Sequence, residues 1–287
     1  MTPGELPDLW GDSDDDADLL SSVEAVERNK RFSTSTSTST TSSFYRPNLY
    51  LEVKLKGGSI WSDLKQMMTN GKFSGPTIIY CPSRKAVDEI STQLTERKVD
   101  NKKCHDGLSI TEKQEAHKAF LSDEVMVILA TSGTVIDKPD VRNVIHYGAP
   151  RDMESFYQEI GRAGRDGQRS VSRVYFSQAD FNIQRHYLMQ ASQAIKSHRS
   201  EIIRQMEVFL QYKEKCRRAE LLRHFQSGTS GSEQGVVRSP DCCDCCTASL
   251  LRGSQVGSNN EDRDRDMAAE ARTVIQVVGL LNKNNSR

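Results

Sequence analysis

Three short apolar runs constrain the fold of this chain more than any other sequence feature. They span residues 77–81, 125–131 and 143–147, and amphipathic helical patterns separate the first two. Short runs without polar alternation are typical of strands that are buried on both faces. Strands that alternate with helices form a parallel sheet wrapped by helices, with right-handed crossovers. The sequence therefore predicts an α/β fold with a central parallel sheet.

Two further strands and two helices complete this prediction. Residues 49–53 and 171–175 alternate along the chain as strands do, and Pro47 keeps the preceding residue extended. Ser83 follows the first buried strand and is placed to cap a helix with apolar residues at helical spacing. A second helix is expected at 111–121. Residues 99–109 are polar, and His105 among them is expected to be a loop histidine, with acid–base chemistry or metal binding beside Asp106 as the alternative.

Both ends of the chain are polar. Residues 1–43 are expected to be disordered, because 12–18 is an acidic run and 33–43 contains only serine and threonine. Residues 247–266 read as a linker, and 268–281 as a short amphipathic helix. The net charge is zero, so any basic surface must be local. No apolar run is long enough to span a membrane, and we expect an intracellular protein without membrane partners.

The segment Tyr157–Gly167 carries the most suggestive chemistry. Its sequence places Arg162 and Arg165 three residues apart, which on a helix puts both side chains on one face. Planar guanidinium groups match phosphate oxygens, and the neighbouring glycines let a ligand approach the backbone. Gln158 lies four residues before Arg162, on nearly the same face. The alternative is an ordinary charged surface helix with a glycine near its end.

Five of the seven cysteines lie late in the chain. In an intracellular protein, clustered cysteines favour a metal site over disulfides. Four thiolates can enclose a tetrahedral zinc ion, and one of them, Cys216, would reach the others across a long loop. The remaining candidates are Cys242, Cys243, Cys245 and Cys246. Unpaired thiols are the alternative.

Several blocks together resemble the RecQ family of DNA helicases, of the Werner syndrome type. The arginine segment, the flanking residues 144–150 and the Arg-Pro-Asn block at 46–48 match the family in its own order. The resemblance covers residues 44–246. It implies the second RecA-like lobe of a helicase at 44–177 and a helical zinc-binding subdomain at 178–248. Residues 249–287 would be a linker and the truncated start of a winged-helix region, and the first RecA-like lobe would be missing.

The resemblance also implies roles for individual residues. Arg165 would be the arginine finger, with Arg162 as its partner, and Gln158 would serve the nucleotide with them. Residues that match cofactor-binding positions are Asp137, Lys138, Gly161 and Gly164. Residues that match DNA-binding positions are Arg46, Asn48, Ser83 and Arg84. The implied zinc ligands are Cys216, Cys242, Cys243 and Cys246.

This chain departs from the family pattern at three places. The loop at 132–135 is two residues shorter and lacks the Phe-Gly-Met-Gly core that touches DNA in the family. Cys104 and Asp106 replace a tyrosine and an alanine on either side of His105. Cys245 stands where the family has asparagine, so it could compete as a zinc ligand.

The implied activity is ATP-dependent 3′–5′ DNA unwinding in nuclear repair, replication and recombination, which belongs to the hydrolase and isomerase classes. Zinc would be structural. ATP with Mg²⁺ would bind only beside a first lobe, because this sequence contains no Gly-x-x-x-x-Gly-Lys-[Ser/Thr] and no Asp-Glu-x-His block. Expected partners are single-stranded and structured duplex DNA, a separate ATPase lobe, or repair proteins. The alternative is a non-catalytic module that binds DNA or a helicase.

Overall fold

A computed structural model of the chain describes residues 46–189, 193–226 and 239–256. The first compact unit extends to Thr247, and a second unit begins at Ala248. The predicted N-terminal tail and the helix predicted at 268–281 lie outside the described residues.

The predicted parallel sheet is confirmed. Its six strands, all parallel, are β1 (Leu49–Leu55), β4 (Thr77–Cys81), β5 (Asn101–Cys104), β6 (Val127–Thr131), β7 (Asn143–Tyr147) and β8 (Ser170–Phe176). The strand order is β1-β8-β7-β4-β6-β5. A separate two-stranded hairpin joins β2 (Met68–Thr69) to β3 (Lys72–Phe73). The central strands β4 and β7 are buried along their whole length, as uninterrupted apolar runs predict.

Helices cover both faces of this sheet. In chain order, the helices of the described residues are α1 (Ile60–Lys65), α2 (Arg84–Glu96), α3 (Ile110–Leu121), α4 (Met153–Ile160), α5 (Gln178–Leu188), α6 (Gln193–Gln211), α7 (Arg217–Gln226) and α8 (Asp244–Val256). Successive side chains of a strand point to opposite faces, so Ile78 packs in one hydrophobic core and Ile79 in the other. In the part of the chain that the structure describes, no helix is long and apolar enough to cross a membrane.

Side-chain caps fix where two of the helices begin. The Ser83 hydroxyl accepts a hydrogen bond from the backbone N–H of Ala86 at 3.2 Å, as the sequence predicted. Ser109 and Glu112 form a reciprocal capping box at the start of α3. Each cap satisfies backbone donors that have no partner within the helix.

His105 lies in a loop, as predicted, but the polar residues just before it form a strand that the sequence did not indicate. Residues Asn101–Cys104 form the edge strand β5, which pairs with β6 in register from Asn101 opposite Val127. Polar residues have low strand propensity, but pairing with a central strand overrides that preference. The exposed lysines suit an edge strand, because charge there discourages pairing with other chains. His105 itself is buried.

The opposite edge of the sheet, β1, is covered by the cysteine segment. The backbone N–H of Leu51 donates to the carbonyl oxygen of Cys242 at 3.3 Å, and Leu51 forms an isolated parallel bridge with Cys243. Asp244 accepts from the backbone N–H of Val53 at 3.1 Å and pairs with the buried Arg217. These contacts join the cysteine segment directly to the sheet.

Candidate functional site

Four cysteines form a compact cluster beside β1, the edge strand that the cysteine segment covers. The Sγ atoms of Cys216, Cys242, Cys243 and Cys246 all lie within 4.8 Å of one another, and all four residues are buried. The sulfurs of Cys216 and Cys242 are 3.5 Å apart. A tetrahedral zinc ion with Zn–S bonds of about 2.3 Å places its sulfurs roughly 3.8 Å apart. The cluster therefore fits a zinc ion with four protein ligands, which leaves no open position for catalysis.

Zinc binds cysteine as the thiolate, and the four cysteines differ in this respect. A hydrogen bond with Cys216 raises the pKa of Cys242, and burial raises the pKa of Cys246. Hydrogen bonds from Cys216 and Cys242 hold the pKa of Cys243 far below its ordinary value. The buried Arg218 donates from Nε to Sγ of Cys242 at 3.3 Å. Four thiolates around Zn²⁺ carry a net negative charge of two, so a buried guanidinium beside them offsets part of that charge.

Cys245 stays outside this cluster although it is equally buried. Its thiol donates to the carbonyl oxygen of Tyr212 at 3.6 Å, and a hydrogen bond with Cys243 raises its pKa, so Cys245 lies beside the four clustered sulfurs. Competition from Cys245 as a ligand therefore stays a prediction. The four clustered cysteines are the set that the family resemblance implies, and their role as ligands stays a prediction.

The arginine segment differs from its prediction. Helix α4 ends at Ile160, so Arg162 and Arg165 lie in the turns that follow and do not share a helix face. Gly164 adopts φ +57°, a left-handed conformation that ends helical geometry. The Arg46 guanidinium also donates to the carbonyl oxygens of Ala163 and Gly164, at 2.7 and 2.9 Å, and thereby caps the turn.

Gly164 is tightly enclosed in this turn. A Cβ atom there would lie 2.6 Å from Nδ2 of Asn48, 2.6 Å from Oγ of Ser170 and 2.7 Å from the carbonyl oxygen of Gln168. Asn48 donates to the carbonyl oxygens of Gly164 and Gln168, both at 2.9 Å. In this structure Arg46 and Asn48, which the resemblance associates with DNA, hold the arginine turn in place.

The two arginines of the turn differ in their surroundings. Arg162 donates from Nη1 to the carbonyl oxygen of Ile136 at 2.9 Å, and its buried Nε has no hydrogen-bond partner. A buried donor without a partner is costly and marks a place where a ligand oxygen could bind. Arg165 pairs with Asp137, and both side chains are well exposed. A phosphate could therefore displace this weak surface pair.

One cavity brings these side chains together. It has a volume of about 400 Å³ and lies between β1, the arginine turn and helix α7. The polar residues that line it include Gln158, Arg162, Arg165, Arg46 and Arg218. Leucines of β1 and α7 form the apolar wall. The size lies within the usual range for small-molecule sites.

Sequence reasoning missed Glu159, which connects the arginine segment to the shortened loop. Its buried carboxylate accepts from Oγ of Ser132 at 2.6 Å and from the backbone N–H of Gly133 at 3.1 Å, and it pairs with Nε2 of His146 at 2.9 Å. Burial alone would raise the pKa of Glu159, but the hydrogen bonds from His146, Ser132 and Gly133 outweigh burial and lower it. The signal in the sequence was a glutamate at an inward position of an amphipathic helix.

Lys138 lies away from the cavity. Its buried ammonium pairs with Asp123 at 2.9 Å and with Asp140 at 3.2 Å, which gives it a structural role in this conformation. Ser83 is a buried helix cap, and Arg84 is partly buried beside Gly107 at the carboxyl end of the sheet. Apart from the cysteine cluster, most of the predicted site residues thus lie either around the cavity and the arginine turn or at the strand ends, and Lys138 lies in a separate buried ion pair.

The comparisons with known proteins agree with this arrangement. Residues 60–167 match the family described as helicase conserved C-terminal domain. Residues 178–247 match the family described as RecQ zinc-binding. The fold and the cysteine site therefore define a class, the second RecA-like lobe of a helicase followed by a zinc-binding subdomain. Because both matches occur in one chain and in the RecQ order, the chain belongs to the RecQ family.

Relatives of the Werner type confirm this resemblance. The chain is 38% identical over 251 residues to the mouse bifunctional 3′-5′ exonuclease/ATP-dependent helicase WRN, an alignment that covers 84% of this chain and 18% of the relative. It is also 38% identical to the ATP-dependent helicase wrn-1 of Caenorhabditis elegans, over 84% of this chain and 23% of that protein. The chain thus spans less than a quarter of either relative.

Solved structures that superpose on part of this chain include the DEAD-box protein Dbp5. Saccharomyces cerevisiae Dbp5 bound to RNA and ADP BeF3 superposes with a TM-score of 0.46 at 17% identity. That alignment covers 63% of this chain and 52% of Dbp5.

Proposed function

We propose that this chain supplies the second RecA-like lobe and the zinc-binding subdomain of an ATP-dependent 3′–5′ DNA helicase that acts in nuclear DNA repair, replication and recombination. The observation that carries this proposal is the convergence of Gln158, Arg162 and Arg165 on one cavity, in a chain with RecQ domain order. The similar proteins named above are described as ATP-dependent helicases, which supports the same activity.

The proposed roles follow from the side chains. Arg165, the more exposed guanidinium, would stabilise charge on a phosphate that is being transferred, and Arg162 would bind beside it through its unpartnered Nε. Gln158 is exposed at the rim and would orient the nucleotide. Asp137 and the backbone at Gly161 and Gly164 would shape this site. The nucleotide itself, with Mg²⁺, would require the phosphate-binding loop of a first lobe.

DNA is proposed to bind at the carboxyl ends of the strands, where ligands of open α/β sheets bind. Arg84 and Ser83 lie at the end of β4, and the shortened loop follows β6. Glu159 anchors this loop to the arginine segment, so the two proposed sites share one buried carboxylate. This connection supports coupling between nucleotide and DNA even with the shortened loop.

The second candidate is a non-catalytic module that binds DNA or a helicase partner. It is favoured by the sequence, which contains no phosphate-binding loop. We expect negligible DNA-stimulated ATP hydrolysis by the purified chain. If turnover appeared and Arg165→Ala abolished it while Arg169→Ala did not, the chain would be catalytic by itself.

The mass of the endogenous protein distinguishes the two candidates. An immunoblot against the zinc region that detects a product far above 32 kDa would support the helicase. A product near 32 kDa would favour the binding module.

A further inference from the structure

We infer that the arginine cavity binds the acidic segment of this same chain, residues 12–20, as a mimic of an anionic ligand. This contact is not part of the proposed function. It rests on that function in one respect, because the ligand that the segment would exclude is the one proposed there. The segment reads Asp-Ser-Asp-Asp-Asp-Ala-Asp-Leu-Leu, so it combines five carboxylates with two adjacent leucines.

The charge of the cavity favours an anionic occupant. Its described lining residues include four arginines and no aspartate or glutamate. Arg46 and Arg162 donate to neutral backbone carbonyls, so these bonds leave their positive charges uncompensated. Arg218 serves the cysteine cluster, and Arg165 has only an exposed pair with Asp137. An incoming carboxylate would therefore gain charge-assisted hydrogen bonds from Arg162 and Arg165.

The wall of the cavity matches the second half of the segment. Leu49 and Leu51 of β1 face Leu221 and Leu222 of α7 around the same space. A nucleotide phosphate uses only the arginine side of such a site, whereas Leu19 and Leu20 directly follow Asp18 and would cover the leucines. Burying a leucine side chain is favourable, so the apolar wall adds to the electrostatic attraction.

The chain is also long enough for this contact. Arg46, where the described part begins, itself lines the cavity, and Asp18 lies 28 positions before it. A flexible chain of that length has an end-to-end distance of roughly 30 Å, comparable to the size of the lobe. Such a tether gives an effective concentration in the millimolar range, so even a weak contact would be populated.

The test compares the full chain with a variant that carries Asp14→Asn, Asp15→Asn, Asp16→Asn and Asp18→Asn. Phenylglyoxal modifies accessible arginines, and mass spectrometry measures the rate at each position. We expect Arg165 to react about three- to tenfold faster in the Asn variant, because the segment no longer shields it. Arg169 and Arg204, which are exposed outside the cavity, serve as internal references.

Two controls make the result specific. The variant Glu24→Gln, Glu27→Gln removes charge from the same tail and should leave the Arg165 rate unchanged. A fluorescein-labelled peptide of residues 10–22 should bind the Asn variant, and Arg162→Ala should weaken that binding.

Three outcomes would overturn the inference. They are equal Arg165 rates in the wild type and the Asn variant, an equal change at Arg169, or protection that disappears on dilution, which would assign the contact to a second copy. Zinc content and DNA binding are measured on the same preparations. If both are normal while the Arg165 rates are equal, the tail contact fails and the proposed function remains.

Discussion

At the scale of single residues, the buried carboxylate of Glu159 is the side chain that connects the arginine segment to the shortened loop. It satisfies the hydroxyl of Ser132 and the backbone N–H of Gly133 in the shortened loop, and the imidazole of His146 in strand β7. Removing one partner from a buried charged network leaves the other groups unsatisfied. Glu159→Gln keeps an acceptor but loses the charge, so we expect a loss of about 1–3 kcal/mol in the free energy of unfolding.

Urea unfolding checks this prediction, and pH provides a second readout. The folded pKa of Glu159 is lowered from its ordinary value of 4.5, so its ionised form stabilises the protein above that pH. This contribution is lost as the pH falls through the folded pKa. The difference between the wild type and the Gln variant should therefore be full at pH 7 and shrink below pH 4.5. The exposed Glu115→Gln is the control, and an equal effect there would contradict the prediction.

Cys245 poses a second question at this scale, because its sequence position alone would allow it to bind metal. Its sulfur faces the carbonyl oxygen of Tyr212 and lies outside the cluster of four. We expect Cys245→Ser to retain one zinc per chain and Cys246→Ser to lose it, as measured by elemental analysis of freshly purified, reduced protein. Zinc loss in both variants would place Cys245 among the ligands.

At the scale of elements, the turn after α4 sets the position of both arginines. Gly164→Ala forces a left-handed backbone and places a Cβ against Asn48, Ser170 and Gln168. Left-handed geometry costs about 1–2 kcal/mol, and overpacking adds about 1–3 kcal/mol. We expect a loss of about 2–5 kcal/mol in the free energy of unfolding by urea titration.

Gly167→Ala is the matched control for that substitution. Gly167 also has a positive φ, of +81°, but a Cβ there meets nothing within 4 Å. Its cost should stay near the strain alone, about 1–2 kcal/mol. Equal losses in the two variants would show that packing around Gly164 contributes nothing.

At the scale of the whole molecule, the cysteine segment joins the helical part to the sheet. It covers the edge strand β1. Its Asp244 pairs with Arg217, and Arg218 donates to the carbonyl oxygen of Leu49 in β1. A metal that holds Cys216 to the later cysteines would connect the residue just before α7 to the start of α8. Structural zinc contributes to folding free energy directly.

Metal removal should therefore lower the thermal stability of the chain. A loss of about 1 kcal/mol shifts the melting temperature by about 2–4 °C in a protein of this size, so we expect a decrease of more than about 5 °C with a chelator under reducing conditions. Differential scanning calorimetry measures it, with Zn²⁺ restored as the control. A melting temperature unchanged by the chelator would contradict a structural role.

The sequence by itself determined the sheet, because buried parallel strands must be continuous apolar runs wherever they occur. It also indicated the cysteine cluster and the residues that line the arginine cavity, since those depend on residue type and order. It failed at β5, where pairing with β6 overrides the low strand propensity of Asn101 and the lysines.

Only the tertiary structure decided the geometry of the site. The separation of Arg162 and Arg165 depends on the left-handed Gly164 and on Arg46, which is more than 110 residues away in the chain. The network of Glu159 and the position of Cys245 likewise depend on atoms from distant segments. Local patterns encode which residues are buried, whereas the orientation of a side chain is set by contacts that exist only after the chain has folded.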